Sequence, residues 1–347
     1  MQQLIKLIVI VVLFFVTPSL IASAGDGNPT ELGKVTWIRN FDEGIAKSAT
    51  ENKPVFLLFQ EVPGCSTCQN YGENVLSHPL IVEAIESLFV PVAIFNNKRG
   101  ADAKVLDFYR EPSWNNPVVR IVDAKKENLI NRVNGNYSQL GIVQAMREAL
   151  QVANKDVPNY LSLLEEELLA EQTGTNSAVF SMYCFWTGEK EIGKLDGVVE
   201  TQAGFMNGRE VVTIKYDPSI IEYEDLLTKS NKASCASTVY TEDSNQAATA
   251  KDVLGAGKVG DLGKFRQDGE PKYYLGKTVY RFIPMTQLQA TKVNSLIGQR
   301  QLPNELLSPR QIVLLRKIQA NPNAKWKNAI NKDFVEAWEA IDNMKGA

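Results

Sequence analysis

The chain is poor in the residues that build closed metal centres and nucleic-acid surfaces. It contains one histidine, His78, and four cysteines among 347 residues. A closed zinc site needs four thiolate or imidazole ligands. Only Cys65-Ser66-Thr67-Cys68 has ligand spacing, and no second CxxC follows it, so no metal is expected there. Basic residues are not in excess either. Lys+Arg number 37 against 40 Asp+Glu, a formal net charge of −3, which excludes the basic footprint of a nucleic-acid binder. Long apolar runs are equally scarce. Ten unbroken apolar residues at 7–16 fall well short of the roughly 20 that a membrane-spanning helix needs.

That short run has a different expected use. Lys6 precedes it, Pro18 stops it from extending, and Ala22-Ser23-Ala24 forms an A-x-A cleavage site, so 1–24 reads as a cleavable signal peptide. The expected location is periplasmic or secreted. All four cysteines (Cys65, Cys68, Cys184, Cys235) lie beyond the cleavage site. In an oxidising compartment they could form two structural bridges, in any of three pairings.

The CxxC argues for chemistry instead. It directly follows the apolar run 55–59, so a strand ends where a helix begins. The first sulfur then meets free amide N–H groups and the positive end of the helix dipole, which favour the reactive thiolate. His78, just before Pro79, reads as a turn or helix-start residue.

A length of 347 exceeds a single core and predicts two domains. From 33 to 153 the pattern alternates strand, helix, strand, helix, hairpin (118–122 with 129–133) and helix. This order, the CxxC and Asn116-Pro117 before a strand resemble the thioredoxin superfamily. The phrases Val75-Leu76-Ser77-His78-Pro79 and Phe89-Val90-Pro91-Val92 are similar to its periplasmic disulfide reductases. The resemblance implies an α/β thioredoxin-like fold with Cys65 as attacking thiol, Cys68 as resolving thiol and Pro117 as a cis-proline bordering the site. The Trp that commonly precedes the first Cys is absent; Pro63-Gly64 stands there.

Residues 154–177 read as a helical linker, with Leu161, Leu164 and Leu168 on one face and a solvated acidic face of Glu165, Glu166, Glu167 and Glu171. A second unit is expected over 178–300. Its first apolar stretch ends in Cys184-Phe185-Trp186, again a Cys where a strand passes into a helix. Read alone, that Cys is as easily a buried core residue.

Its neighbours carry a second resemblance. Cys184-Phe185-Trp186, Leu195-Asp196-Gly197-Val198-Val199, Ala203-Gly204-Phe205, Glu210-Val211-Val212 and Lys215-Tyr216-Asp217-Pro218 are similar to the methionine sulfoxide reductase A family. That implies an α+β, ferredoxin-like domain with Cys184 as nucleophile and Glu210 as acid. Phe185 and Trp186 would form the wall for the substrate methyl group, and Cys235 would be the resolving thiol in a mobile loop. The chemistry needs these types: the sulfoxide oxygen leaves only if protonated as the thiolate attacks sulfur, and the resulting sulfenic acid condenses with a second thiol.

The chain departs from the family at three places. Tyr183 and Thr187 replace glycines, the segment between Phe205 and Glu210 is short, and the downstream acid–tyrosine pair is not legible, Tyr240 being a weak substitute. Residues 301–347 are expected to form a helical tail. The composite reading is an exported thiol oxidoreductase without cofactor. Its partners would be oxidised or disulfide-bonded client proteins and a membrane-relayed thiol electron donor, with no nucleic acid. The alternative is a thiol-disulfide oxidoreductase whose second domain only binds clients.

Overall fold

The computed structural model describes residues 27–342; the expected signal segment 1–24 lies outside them. The first unit runs α1 (Phe41–Glu51), β1 (Val55–Gln60), α2 (Ser66–Asn74), α3 (Pro79–Leu88), β2 (Val90–Phe95), α4 (Ala101–Tyr109), β3 (Val118–Val122), β4 (Val133–Asn134) and α5 (Gln139–Val152). Its sheet has the order β2-β1-β3-β4, with β1 parallel to β2 and antiparallel to β3. Every residue of β1 is buried, as expected of a central strand covered on both faces. Phe56 and Leu58 face one cluster with α3 and α5, while Val55, Leu57 and Phe59 face another with α1 and α4, the period of two that a pleated strand imposes.

The expected hairpin is only partly formed. Its second arm is the two-residue β4, and the stretch before it touches β3 through an isolated Val122–Asn128 bridge. The helical region after the CxxC is broken in two, because Pro79 occupies the first turn of α3, the position where its missing N–H costs nothing.

The linker α6 (Asn159–Thr173) is not a free connector. Tyr160, Leu161 and Leu164 are buried in the first unit's core. Its acidic face is solvated only in part, at Glu171. Glu165 pairs with Arg147, and Glu167 is buried, accepting the backbone N–H groups of Gln287 (3.0 Å) and Leu288 (3.3 Å). The first turn of the helix Gln287–Gly298 offers Glu167 the unpaired N–H groups that every helix N-terminus leaves, so this member of the acidic run turns inward.

The second unit runs β5 (Asn176–Ser181), α7 (Phe185–Gly193), β6 (Val198–Met206), β7 (Arg209–Tyr216), α8 (Tyr223–Lys232) and β8 (Thr238–Thr241). Within its six-stranded sheet these strands lie in the order β6-β7-β5-β8, all antiparallel. That is the split βαββαβ of a ferredoxin-like fold. It continues with α9 (Ser244–Leu254), β9 (Val259–Asp261), β10 (Arg266–Gln267), α10 (Tyr273–Gly276) and α11 (Gln287–Gly298); β9 and β10 extend the two sheet edges. The short segment after Phe205 is a two-residue turn, Asn207-Gly208, with both φ positive (51° and 75°), the Asn-Gly pairing that a tight hairpin requires.

The tail forms α12 (Pro309–Ala320) and α13 (Phe334–Asp342). The Ser308 hydroxyl (2.6 Å) and the Arg310 backbone N–H (2.5 Å) donate to Glu83 on α3, and the Arg310 guanidinium pairs with Glu86. Gln311 and Gln289 on α11 exchange side-chain hydrogen bonds at 2.8 Å. The tail thus joins the first unit to the second. Among the described residues no helix is long and apolar enough to cross a membrane.

Candidate active site

Two thiol sites emerge, one on each sheet. In the first, Cys65 is the N-cap residue of α2 and is exposed, while Cys68 is buried in the helix's first turn. Their sulfurs are 3.7 Å apart. The Cys68 backbone N–H bonded to its sulfur holds the Cys65 thiol below its ordinary value. Burial pushes the Cys68 thiol up to about 12, and its neighbour Cys65 adds to the effect. The Cys68 S–H donates to Asn116 Oδ1 at 2.6 Å. The two sulfurs therefore divide labour: an accessible nucleophile and a sequestered thiol. Asn116–Pro117 is cis, as is Val62–Pro63, so Pro117 directly follows the residue that touches Cys68.

Gly64 is there for space. A Cβ at this position would lie 2.4 Å from the Glu61 carbonyl and 2.8 Å from Cys68 Cβ. The bulky residue common before the first Cys is therefore excluded by contact with the second. The turn is held from below, where the Gly64 N–H donates to the Glu31 carboxylate at 2.8 Å and the Gln60 amide donates to the Glu31 and Cys68 carbonyls.

Among the described residues, one set of thiol and carboxylate atoms is close enough to share an ion: Cys65, Cys68 and Glu61, mutually within 4.8 Å. Three atoms fall one short of a closed zinc site, and both thiols already belong to the redox pair.

In the second site Cys184 is the N-cap residue of α7 and is partly exposed. Glu210 begins the adjoining strand face: its carbonyl accepts the Met182 N–H (3.2 Å), and its carboxylate accepts the Phe185 N–H at 2.9 Å. The acid thus sits at the same helix N-terminus as the sulfur. Around them the Phe185 ring lies 5.5 Å from Trp186 and 5.2 Å from Phe205, with the Arg266 guanidinium 4.3 Å over Phe205.

Two residues here were not legible as site residues. Asp268 accepts the Trp186 indole N–H at 2.9 Å, and Tyr273 stacks on the indole at 3.8 Å. Both lie more than 80 positions from Trp186, so no local spacing could reveal them. In the fold, Arg266-Gln267 pairs with Phe205 and Gly204 and carries this segment to the site.

Cys235 is placed differently from expectation. It is 1% exposed and packed among Phe180, Leu226 and Val239, and its thiol donates to the Ala233 carbonyl at 3.3 Å. Burial pushes this thiol up to about 11, with contributions from Glu191 and Cys184. The loop is pinned rather than mobile, because the Ser237 N–H and hydroxyl both donate to the Ser181 carbonyl. That pinning also holds it beside the end of β5, three residues before Cys184. Tyr240 is buried with Val179, Met206 and Val211, in a cluster that contains none of Cys184, Phe185 or Trp186.

Comparison with known proteins agrees with both halves. Residues 36–124 match the thioredoxin-like family model. The chain is 40% identical to a peptide methionine sulfoxide reductase MsrA from Methanococcus maripaludis, over 16% of this chain and 46% of that protein. It is 33% identical to the MsrA 1 of a Nostoc species, over 18% of this chain and 50% of that protein. The chain spans about half the length, or less, of the curated relatives it matches. Among solved structures, a DsbH oxidoreductase aligns at 16% identity and a TM-score of 0.30, covering 37% of this chain and 92% of that one.

Proposed function

We propose that this chain is a thiol-dependent oxidoreductase that reduces methionine-S-sulfoxide in exported proteins and carries its own dithiol donor. The observation that supports this best is Glu210, whose carboxylate bonds the first N–H of the helix that Cys184 caps. Cys184 thiolate attacks the sulfoxide sulfur while Glu210 delivers a proton to the oxygen. Methionine leaves and Cys184 holds the oxygen as a sulfenic acid. The Cys235 thiol condenses with it, releasing water and forming a disulfide. Because Cys235 is buried, that step requires the 233–237 loop to release its bonds to Ser181. Cys65 then attacks the disulfide, Cys68 resolves, and the oxidised pair is reduced by a thiol donor relayed through the membrane. A covalently attached dithiol acts at an effective concentration on the order of mM.

The test is turnover of a methionine-S-sulfoxide peptide by the full chain with a dithiol donor. Activity lost in Cys184→Ser supports the reading, and activity unchanged in that variant refutes it.

A second reading is favoured by the tight Asn207-Gly208 turn and the pinned Cys235. The second unit would then bind clients while the CxxC reduces their disulfides. It predicts insulin disulfide reduction that survives Cys184→Ser and disappears in Cys65→Ser.

A further inference from the structure

We propose that Arg266 selects the substrate of the second unit: methionine sulfoxide in a peptide that carries a carboxylate side chain within two residues of it. This rests on the methionine-sulfoxide reading of Cys184 and Glu210 and narrows the substrate class of that site.

Sheet register places the guanidinium. Arg266 pairs with Phe205 across β10 and β6, and Phe205 pairs with Glu210 across β6 and β7. Residues paired across antiparallel strands share a face of the sheet, so Arg266, Phe205 and Glu210 form one row. Phe205 lies in one cluster with Phe185, Ile192, Ala203 and Val212, so the row is on the face that α7 covers, where Cys184 caps the helix. Neighbouring strands are about 4.8 Å apart, which sets the backbone of Arg266 about 10 Å from that of Glu210.

The cation is held but not neutralised. It lies 4.3 Å over the Phe205 ring, a contact that steadies a long side chain and leaves its N–H edge free. Arg266 is exposed. The acids around it are used elsewhere: Glu210 accepts the Phe185 N–H, Asp268 accepts the Trp186 indole N–H, and Glu270 pairs with Lys277. Among the described residues no carboxylate forms an ion pair with Arg266.

A guanidinium presents a planar fork of donors that fits a carboxylate through two parallel hydrogen bonds. A peptide running from Cys184 towards β10 can bring that group. Two extended residues cover about 7 Å, and an Asp or Glu side chain spans the remainder. A lysine at the same place would meet Arg266 as a like charge. An arginine that only covered the Phe205 ring would not discriminate peptides by charge.

The experiment uses the full chain with a dithiol donor and acetylated, amidated peptides that each carry a single methionine-S-sulfoxide. One position at a time, from two before to two after the sulfoxide, holds Asp, Asn or Lys. At one or more positions kcat/KM for Asp is expected to exceed that for Asn by about five- to tenfold at low salt, and that for Lys by more. At about 1 M salt, where the Debye length is about 3 Å, the preference should shrink to within about twofold. Arg266→Gln should bring the Asp/Asn ratio to one or below, because Glu210 and Asp268 remain. Arg266→Lys keeps the charge without the fork and should keep the direction of the preference at a smaller size.

Asp and Asn peptides reduced equally by the parent at every position, or a ratio that Arg266→Gln leaves unchanged, overturns the proposal. So does Arg266→Gln slowing all three peptides by the same factor, which is what a ring-covering role predicts. No turnover of any peptide by the parent refutes the methionine-sulfoxide reading itself, and this proposal with it.

Discussion

Replacing Lys272 by methionine probes the charge buried behind the Cys184 helix. Lys272 and Glu189 are 3% and 1% exposed, 3.4 Å apart. The ammonium also donates to the Thr201 carbonyl and, at 3.1 Å, to its hydroxyl. Burial pushes the Glu189 carboxyl up, and the attraction of Lys272 pulls it back. One Glu189 oxygen has no partner. Methionine fills the lysine's space and keeps its left-handed backbone (φ 51°), so the difference is the lost charge. Removing one partner of a buried pair leaves the other uncompensated, at about 3–5 kcal/mol. That is a large part of the roughly 5–15 kcal/mol typical of a domain. Removing both changes the answer: Lys272→Met with Glu189→Leu should recover most of the loss, since no buried charge remains. Urea unfolding of the full chain, detected by tryptophan fluorescence, reads both. Lys272→Met within about 1 kcal/mol of the parent, or a double variant no better than the single, would show that no uncompensated charge is being buried.

Two further outcomes concern the junction between the units. Glu83→Ala leaves the Ser308 hydroxyl and the Arg310 N–H without their acceptor at a buried site. It should cost about 2–4 kcal/mol in urea unfolding, and Glu83→Gln, which keeps an acceptor, clearly less. Burial holds the Glu167 carboxyl up at about 7 against an ordinary 4.5. The folded chain therefore keeps a proton that the unfolded chain releases; this stability is complete below pH 4.5 and lost as pH rises through 7. Burial holds His78, which lines the same cavity, down at about 4 against 6.5; its contribution is complete above pH 6.5 and lost as pH falls through 4. The two slopes oppose between pH 4.5 and 6.5. Glu167→Gln removes one of them, and unfolding at several pH values should show stability rising with pH where the parent changes little.

The legible part of this protein is the local part. The strand–CxxC–helix step and the strand–Cys184–helix step are each encoded within a few residues, and each is present in the fold; the cis Asn116–Pro117 bond, also present, was implied by the family resemblance. Glu210 was legible through its strand phrase. What escaped is long-range: Asp268 and Tyr273 reach Trp186 only because β10 returns to β6. The acidic run of α6 misled because helical periodicity reports which residues share a face, not what packs against it. Here the N-terminus of α11 packs on Glu167. Cys235 misled in the same way, since small neighbours suit an open loop until Ser237 ties it to Ser181.

The sharpest experiment is a disulfide map of a chain carrying Cys65→Ser and Cys68→Ser, fully reduced and then given methionine-S-sulfoxide peptide without any donor. One methionine formed per chain and a Cys184–Cys235 disulfide are expected, the bond being reached through a buried thiol that must first be exposed. Cys184 and Cys235 both remaining free thiols, with the sulfoxide intact, would rule out the proposed cycle.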